Sequence, residues 1–134
     1  MDSININIEK FPVIEISVKQ EVQPEHVDEF IMNMESILRE KEGRFIVISD
    51  QISGTFMSGA TRIALGRAIK NISEKYRSRE EAVIVVNDSY IGRAMIRGLM
   101  IIARPGKNFY VVSSMEEARE KAEQIKNQIA QMAA

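Results

Sequence analysis

Short runs of β-branched and aromatic residues alternate with longer stretches of helical periodicity, and this alternation is the strongest constraint on the fold. Val83–Val86 is the clearest such run, and Phe45–Ile48 and Phe109–Val112 have the same character. Runs of about four apolar residues between polar segments are typical of buried strands. Strands that alternate with helices favour a mostly parallel sheet that is covered by helices.

The N-terminal part predicts two further strands that pair with each other. Ile4, Ile6 and Ile8 alternate with polar residues, and Val13–Val18 alternates in the same way, which indicates half-buried strands. The break between them is short and contains Pro12, which cannot donate to a sheet ladder and therefore belongs at a strand start or edge. This spacing predicts an antiparallel hairpin.

Four helices are expected to cover the sheet. Proline, glycine and serine signals place them at Pro24 to Gly43, about 58 to 76, about 89 to 103, and onward from Ser113 or Ser114. The 134 residues are a normal length for one domain. We therefore predict a single α/β domain over residues 1–134, with about five strands, an antiparallel N-terminal edge strand and four helices.

Composition argues against several classes of protein. Eighteen basic and 19 acidic residues give a net charge of −1, whereas a dedicated nucleic-acid binder usually has a clear basic excess. The chain has no cysteine, so we expect neither a disulfide framework nor a thiolate site. No apolar stretch approaches the ~20 residues that cross a bilayer, and no signal peptide is evident. These features predict a cytoplasmic protein that binds no nucleic acid.

Few residues have the chemistry for catalysis or metal binding. His26 is the only histidine, which is too few for a zinc site, and we interpret it as a surface residue rather than a triad member. Asp50 and Asp88 follow two predicted strands and could together hold a magnesium ion. We prefer to interpret Asp88 or Ser89 as a helix cap and Asp50 as the start of a turn. We expect no enzyme activity, no cofactor and no metal site.

Ser58 stands at the predicted start of the second helix. A serine oxygen there can cap a free backbone N–H group, and the same position favours a phosphate. Arg62, one turn later, could pair with a phosphate on Ser58. A plain cap is the interpretation that we prefer from the residues alone.

The third predicted helix offers a candidate binding surface. On a helical wheel, Arg93, Arg97 and Arg104 form a stripe, and Ile96 and Met100 lie beside it. The inward side would consist of Ile91, Ala94, Met95, Gly98, Leu99 and Ile102. Apolar groups beside arginines are common in protein interfaces, although the arginines could instead bind an anion. The apolar flank also favours a homodimer.

Three stretches resemble the STAS domains of sulphate transporters and anti-sigma factor antagonists, and in particular their SpoIIAA-like branch. They are Phe45–Asp50, Phe56 to Gly59 with Ala64 to Arg67, and Arg97 to Leu99 with Ser113 to Ala118. The resemblance implies a bacterial, cytoplasmic, non-enzymatic regulatory module whose protein partner is a regulatory kinase or an anti-sigma-like factor. It also implies Ser58 as a phosphorylation site. The docking surface would comprise the segment 51–62 and the exposed side of the third helix.

Two alternatives remain open. The SpoIIAA-like fold is also compared with lipid-binding CRAL-TRIO domains, which implies a small-ligand or lipid site. Its apolar pocket would lie between helices and sheet, with Met34, Met95 and Leu99 as lining residues. The other alternative is a magnesium-dependent enzyme that uses Asp50 and Asp88.

Overall fold

The computed structural model describes residues 4–18, 22–50, 58–94, 97 and 108–133. The strands are β1 (Ile4–Asn7), β2 (Val13–Val18), β3 (Phe45–Asp50), β4 (Glu80–Val86) and β5 (Asn108–Val112). The helices are α1 (Pro24–Glu40), α2 (Gly59–Lys75), α3, which is described at residues 90–94 and 97, and α4 (Met115–Ala133). None of the helices in these ranges is long and apolar enough to cross a membrane.

The five strands form one mixed sheet in the order β1-β2-β3-β4-β5. β1 pairs antiparallel with β2, and the other neighbouring strands are parallel. The predicted fold class, with an antiparallel strand at the N-terminal edge, is therefore confirmed. Pro12 directly precedes β2, where its missing N–H interrupts no ladder.

The two faces of the sheet bury different sets of side chains. One face packs against α1 and α2 through Ile14, Phe45 and Val47. The other packs against α4 through a second cluster that contains Ile46 and Ile48. Because successive strand residues point to opposite faces, β3 contributes to both clusters. Both faces of the sheet are thus covered by helices, as the uninterrupted apolar run in β3 predicts.

β4 begins earlier than its apolar run suggests. The strand starts at Glu80, which is buried although it is charged. Its carboxylate accepts a hydrogen bond from the hydroxyl of Ser73 at 3.2 Å. Because its carboxylate is hydrogen-bonded, Glu80 can be buried in a strand, although polarity alone would assign it to a loop.

Arg79 holds the C-terminal end of α1. Its guanidinium donates hydrogen bonds to the carbonyl oxygens of Leu38, Lys41 and Gly43 at 2.5 to 2.8 Å. The last carbonyls of a helix have no partner within the helix and carry partial negative charge. Gly43 turns the chain with φ of +94°, a conformation that glycine adopts without steric cost. Arg79 therefore fixes the reversal between α1 and β3.

Replacing Arg79 with methionine should lower the free energy of unfolding by about 2 kcal/mol, because three carbonyl groups lose a charged donor. Urea denaturation followed by circular dichroism measures this change. Arg77→Met is the matched control, since Arg77 is exposed, and a change within about 0.5 kcal/mol is expected there. Equal effects of the two substitutions would show that the carbonyl contacts contribute nothing.

Candidate functional site

The carboxyl edge of the sheet gathers most of the predicted site residues. β2 to β5 run parallel, and each is followed along the chain by a helix. All four helices therefore begin near the edge where these strands end. Helix N-termini carry partial positive charge, and open α/β sheets bind ligands outside the carboxyl ends of their strands. This edge is the candidate functional site.

Of the four helices in the described ranges, three begin with a serine that acts as a cap. In each case the hydroxyl oxygen accepts a hydrogen bond from the backbone N–H three residues later, at 3.1 Å. The three pairs are Ser58 with Thr61, Ser89 with Gly92, and Ser114 with Glu117. α3 is thus capped by Ser89 rather than by Asp88. The serines at this edge satisfy the helix ends from within the chain.

Ser58 makes a second contact that orients its hydroxyl group. The hydroxyl donates to the side-chain oxygen of Thr61 at 2.9 Å, and Thr61 is buried. Ser58 itself is exposed. The side chain of Arg62 and the segment 51–57 lie outside the described residues, so phosphorylation of Ser58 and its pairing with Arg62 stay predictions.

His26 also serves to hold the start of a helix. Its Nδ1 accepts a hydrogen bond from the backbone N–H of Gln23 at 2.8 Å. The imidazole therefore satisfies the chain at the entry to α1, in the manner of a capping box. This contact gives the single histidine a structural role.

Arg119 of α4 brings two acidic residues into one electrostatic group. Its guanidinium binds Glu15 of β2 in a bidentate manner, at 2.9 and 3.1 Å. The hydrogen bond from Arg119 lowers the pKa of Glu15 below its ordinary value, although partial burial opposes this shift. The pKa of Arg119 is raised, chiefly by the hydrogen bond with Glu15 and in smaller part by the charge of Asp50. Asp50 thus lies within electrostatic reach of an arginine.

Among the described residues, no third metal-binding side chain joins Asp50 and Asp88. Asp50 is half-buried at the end of β3, and Asp88 is exposed in the link between β4 and α3. Within the described ranges, no three histidine, cysteine or acidic side chains gather to hold a metal ion. Arg119 instead supplies positive charge near Asp50.

The first turn of α3 faces differently from the sequence-based prediction. Ile91, which the helical wheel places inward, is 71% exposed, and Ala94 is exposed as well. Arg93, predicted on the outer stripe, is half-buried and donates to the backbone oxygen of Asn87 at 3.0 Å. The predicted inward orientation of Ile91 and Ala94 is therefore wrong. Met95, Ile96, Leu99 and Met100 lie outside the described residues.

The turn before α3 explains this orientation. The Asn87 side chain accepts a hydrogen bond from the N–H of Ser89 at 2.9 Å. A Cβ atom built on Gly92 would lie only 2.6 Å from Asn87 Oδ1, so only glycine fits against the turn without a shift. Gly92 and Arg93 therefore face the strand end, and Ile91 points away from it.

Tyr90 is a candidate residue that the sequence analysis missed. It is 78% exposed and follows directly after the cap Ser89. The first residue of a helix that begins beyond a strand end has no neighbouring helix or sheet to pack against. This place in the chain, directly after the cap, is the sequence signal that could have identified Tyr90 as exposed. Arg97, predicted to be exposed, is so, and it donates to the Val111 carbonyl at 3.3 Å. Among the described residues of α3, Tyr90, Ile91 and Arg97 are the large side chains that are exposed.

Met34 is the one described residue among the three predicted to line a lipid pocket between helices and sheet. That side chain is 2% exposed and belongs to the packed core on the α1 and α2 side. The other two predicted lining residues, Met95 and Leu99, are outside the described ranges.

Comparison with known proteins identifies the fold. No protein-family model and no curated protein matches the sequence. Among solved structures, the chain is similar to an uncharacterised protein of the DUF3478 family with a SpoIIAA-like fold from Shewanella loihica PV-4. The TM-score is 0.65 at 12% identity, and the match covers 89% of this chain and 91% of the other. The chain has a SpoIIAA-like fold, which confirms the resemblance at the level of architecture.

The Glu15–Arg119 pair predicts a specific response to acid. The pKa of Glu15 is lower in the folded state than in the unfolded chain. The ion pair therefore stabilises the folded protein at a pH above the ordinary glutamate pKa, and this stabilisation is lost as the pH falls through the pKa of the folded state. The wild type should therefore lose more unfolding free energy between about pH 6 and pH 3 than Glu15→Gln, by up to about 1 kcal/mol. Urea denaturation across this range measures the difference.

Glu123→Gln is the control for this experiment. Glu123 is exposed and approaches Lys126 only at 3.8 Å, so its removal should leave the pH dependence unchanged. If the unfolding free energies of the wild type and Glu15→Gln changed in parallel with pH, the Glu15–Arg119 pair would not be stabilising.

Ser58→Ala should lower the free energy of unfolding by about 1 kcal/mol, because the Thr61 N–H loses its cap. Ser58→Asp should remain near the wild-type value, since aspartate caps equally well. Ser36→Ala, at an exposed position within α1, is the control for the loss of a hydroxyl group. A Ser58→Ala protein as stable as the Ser36→Ala protein would exclude a stabilising cap.

Proposed function

We propose that this chain is a non-enzymatic regulatory module that binds a protein partner at the carboxyl edge of its sheet. The docking surface consists of Ser58, Tyr90, Ile91 and Arg97, together with the predicted segment 51–62. The observation that carries the proposal is the exposure of two adjacent large side chains, Tyr90 at 78% and Ile91 at 71%. Both stand where SpoIIAA-like architecture brings helix starts together.

The composition of the docking surface supports a protein partner. Single exposed apolar residues are common and need no explanation. Tyr90 and Ile91 are adjacent, however, and Arg97 lies on the same helix. Tyrosine and arginine are enriched among the residues that dominate binding energy in protein interfaces. Ile63, near the start of α2, is a further exposed apolar side chain, at 59%.

The polar groups of the edge support binding rather than catalysis. The hydroxyls of the three capping serines and the imidazole of His26 each accept a backbone hydrogen bond at a helix start. The carboxylate of Glu15 is held by Arg119. A catalytic base or nucleophile would need its proton-accepting atom directed at a substrate. We therefore propose no enzyme activity, and no magnesium chemistry at Asp50 and Asp88.

Phosphorylation of Ser58 is the proposed control of docking. Ser58 is exposed and stands at a helix N-terminus, which favours an added phosphate. A phosphate would add about 1.5 to 2 negative charges at the same edge of the sheet as the apolar pair of α3. The partner suggested by the resemblance is a regulatory kinase or an anti-sigma-like factor.

A photo-crosslinking residue at position 90 tests the docking surface in the cells that make the protein. We expect one protein partner to be captured from position 90 and none from position 32. Met32 is the matched control because it is 71% exposed but lies on α1, away from the docking surface. The captured protein is then purified, and its affinity for the chain is measured. A crosslink between two copies of this chain would assign the surface to a homodimer.

The double substitution Tyr90→Glu and Ile91→Glu should weaken binding of that partner by at least about thirtyfold, as expected for anchor residues. Glutamate is favourable in the first turn of a helix, so α3 should remain folded. Met32→Glu is the control and should leave the affinity unchanged. Equal affinities of the two variants would exclude the docking surface.

A further inference from the structure

An open groove of about 400 Å³ lies at the opposite edge of the sheet, where β2 and β3 begin. Pro12 and Ile46 line it on the side of the strands. Ile129, Ala130 and Met132, from the last turns of α4, line the other side. The groove is separate from the docking surface, since parallel strands have their two ends at opposite edges.

The wall formed by α4 is apolar and accessible. Ile129 is half-buried against the core, and Ala130 is exposed. Met132 is 75% exposed, and a methionine side chain adapts its shape to irregular apolar partners. Volumes of about 300 to 1,000 Å³ with mostly apolar walls are typical of sites for small molecules. This groove is at the lower end of that range, which favours a short ligand.

Two cations line the same groove. Lys126 lies one helical turn before Ile129 and Ala130, so these three residues share a face of α4. Arg44 stands directly before β3. Arg44 forms an ion pair with Glu81, whereas Lys126 only approaches the exposed Glu123 at 3.8 Å. Because Glu81 already balances Arg44, the groove suits one negative charge better than two.

We propose that this groove binds a medium-chain amphipathic monocarboxylate. Its alkyl chain lies against Ile129, Ala130 and Met132, and its carboxylate is held by Lys126 with Arg44. Apolar walls with a few polar groups at one end are the usual arrangement of a site that orients such a ligand. The proposal is independent of the docking surface.

Titration with decanoate below its micelle concentration, followed by backbone NMR, tests the site. Saturable shifts are expected for the residues that line the groove. Ala130→Trp fills the groove at an exposed position and should weaken binding by about tenfold or more. Met132→Ser, in the last turn of α4, should weaken it by about threefold and serves as the second variant if Ala130→Trp does not fold.

The charge requirement is tested with variants and with decanol. Lys126→Glu should weaken decanoate binding by about threefold or more and leave decanol binding unchanged. Lys70→Glu, at an exposed position on α2, is the control. Glu81→Gln should strengthen decanoate binding by about twofold, because Arg44 loses its competing acceptor. Shifts outside the groove, or equal binding of decanoate and decanol, would overturn the proposal.

Discussion

The burial of β3 on both faces of the sheet is the constraint on which the other elements depend. Phe45, Ile46 and Ile48 are fully buried, and Val47 is nearly so. Each such side chain contributes roughly 1.5 to 3 kcal/mol when it leaves water. Because neighbouring residues point to opposite faces, this gain requires helices on both sides of one strand. That requirement places α1 and α2 on one face, α4 on the other, and the helix starts at one edge.

Polar side chains then fix the positions of the helices against the sheet and against each other. Arg79 ties the end of α1 to the segment before β4, and Lys75 joins α2 to Glu35 of α1 at 2.9 Å. Arg119 ties α4 to Glu15 of β2. These groups are occupied with positioning the helices. At the carboxyl edge, the described side chains that stay exposed include Tyr90 and Ile91, which are the anchors of the proposed docking surface.

The two edges of the sheet differ in chemistry for a topological reason. All helices begin at the carboxyl edge, so capping groups and helix dipoles concentrate there. At the other edge, the last turns of α4 extend beside the strand starts and leave the groove between Ile46 and Met132. The proposed protein partner would thus bind at one edge of the sheet, and the proposed small amphiphile would bind at the opposite edge. The buried strands β3 and β4 lie between the two edges.

The sequence by itself determined the elements, the mixed sheet and the serine caps, because these depend on periodicity and on contacts within a few residues. It did not determine how α3 is rotated, since the close approach of Gly92 to Asn87 orients Ile91 away from the core. Nor did it reveal Arg119 with Glu15, which lie 104 positions apart, or the groove. Only the tertiary structure decided these features. The ion pair and the groove join distant parts of the chain, and the turn that orients α3 is bound to β5 by the hydrogen bond from the Asn87 N–H to the Val112 carbonyl at 3.0 Å.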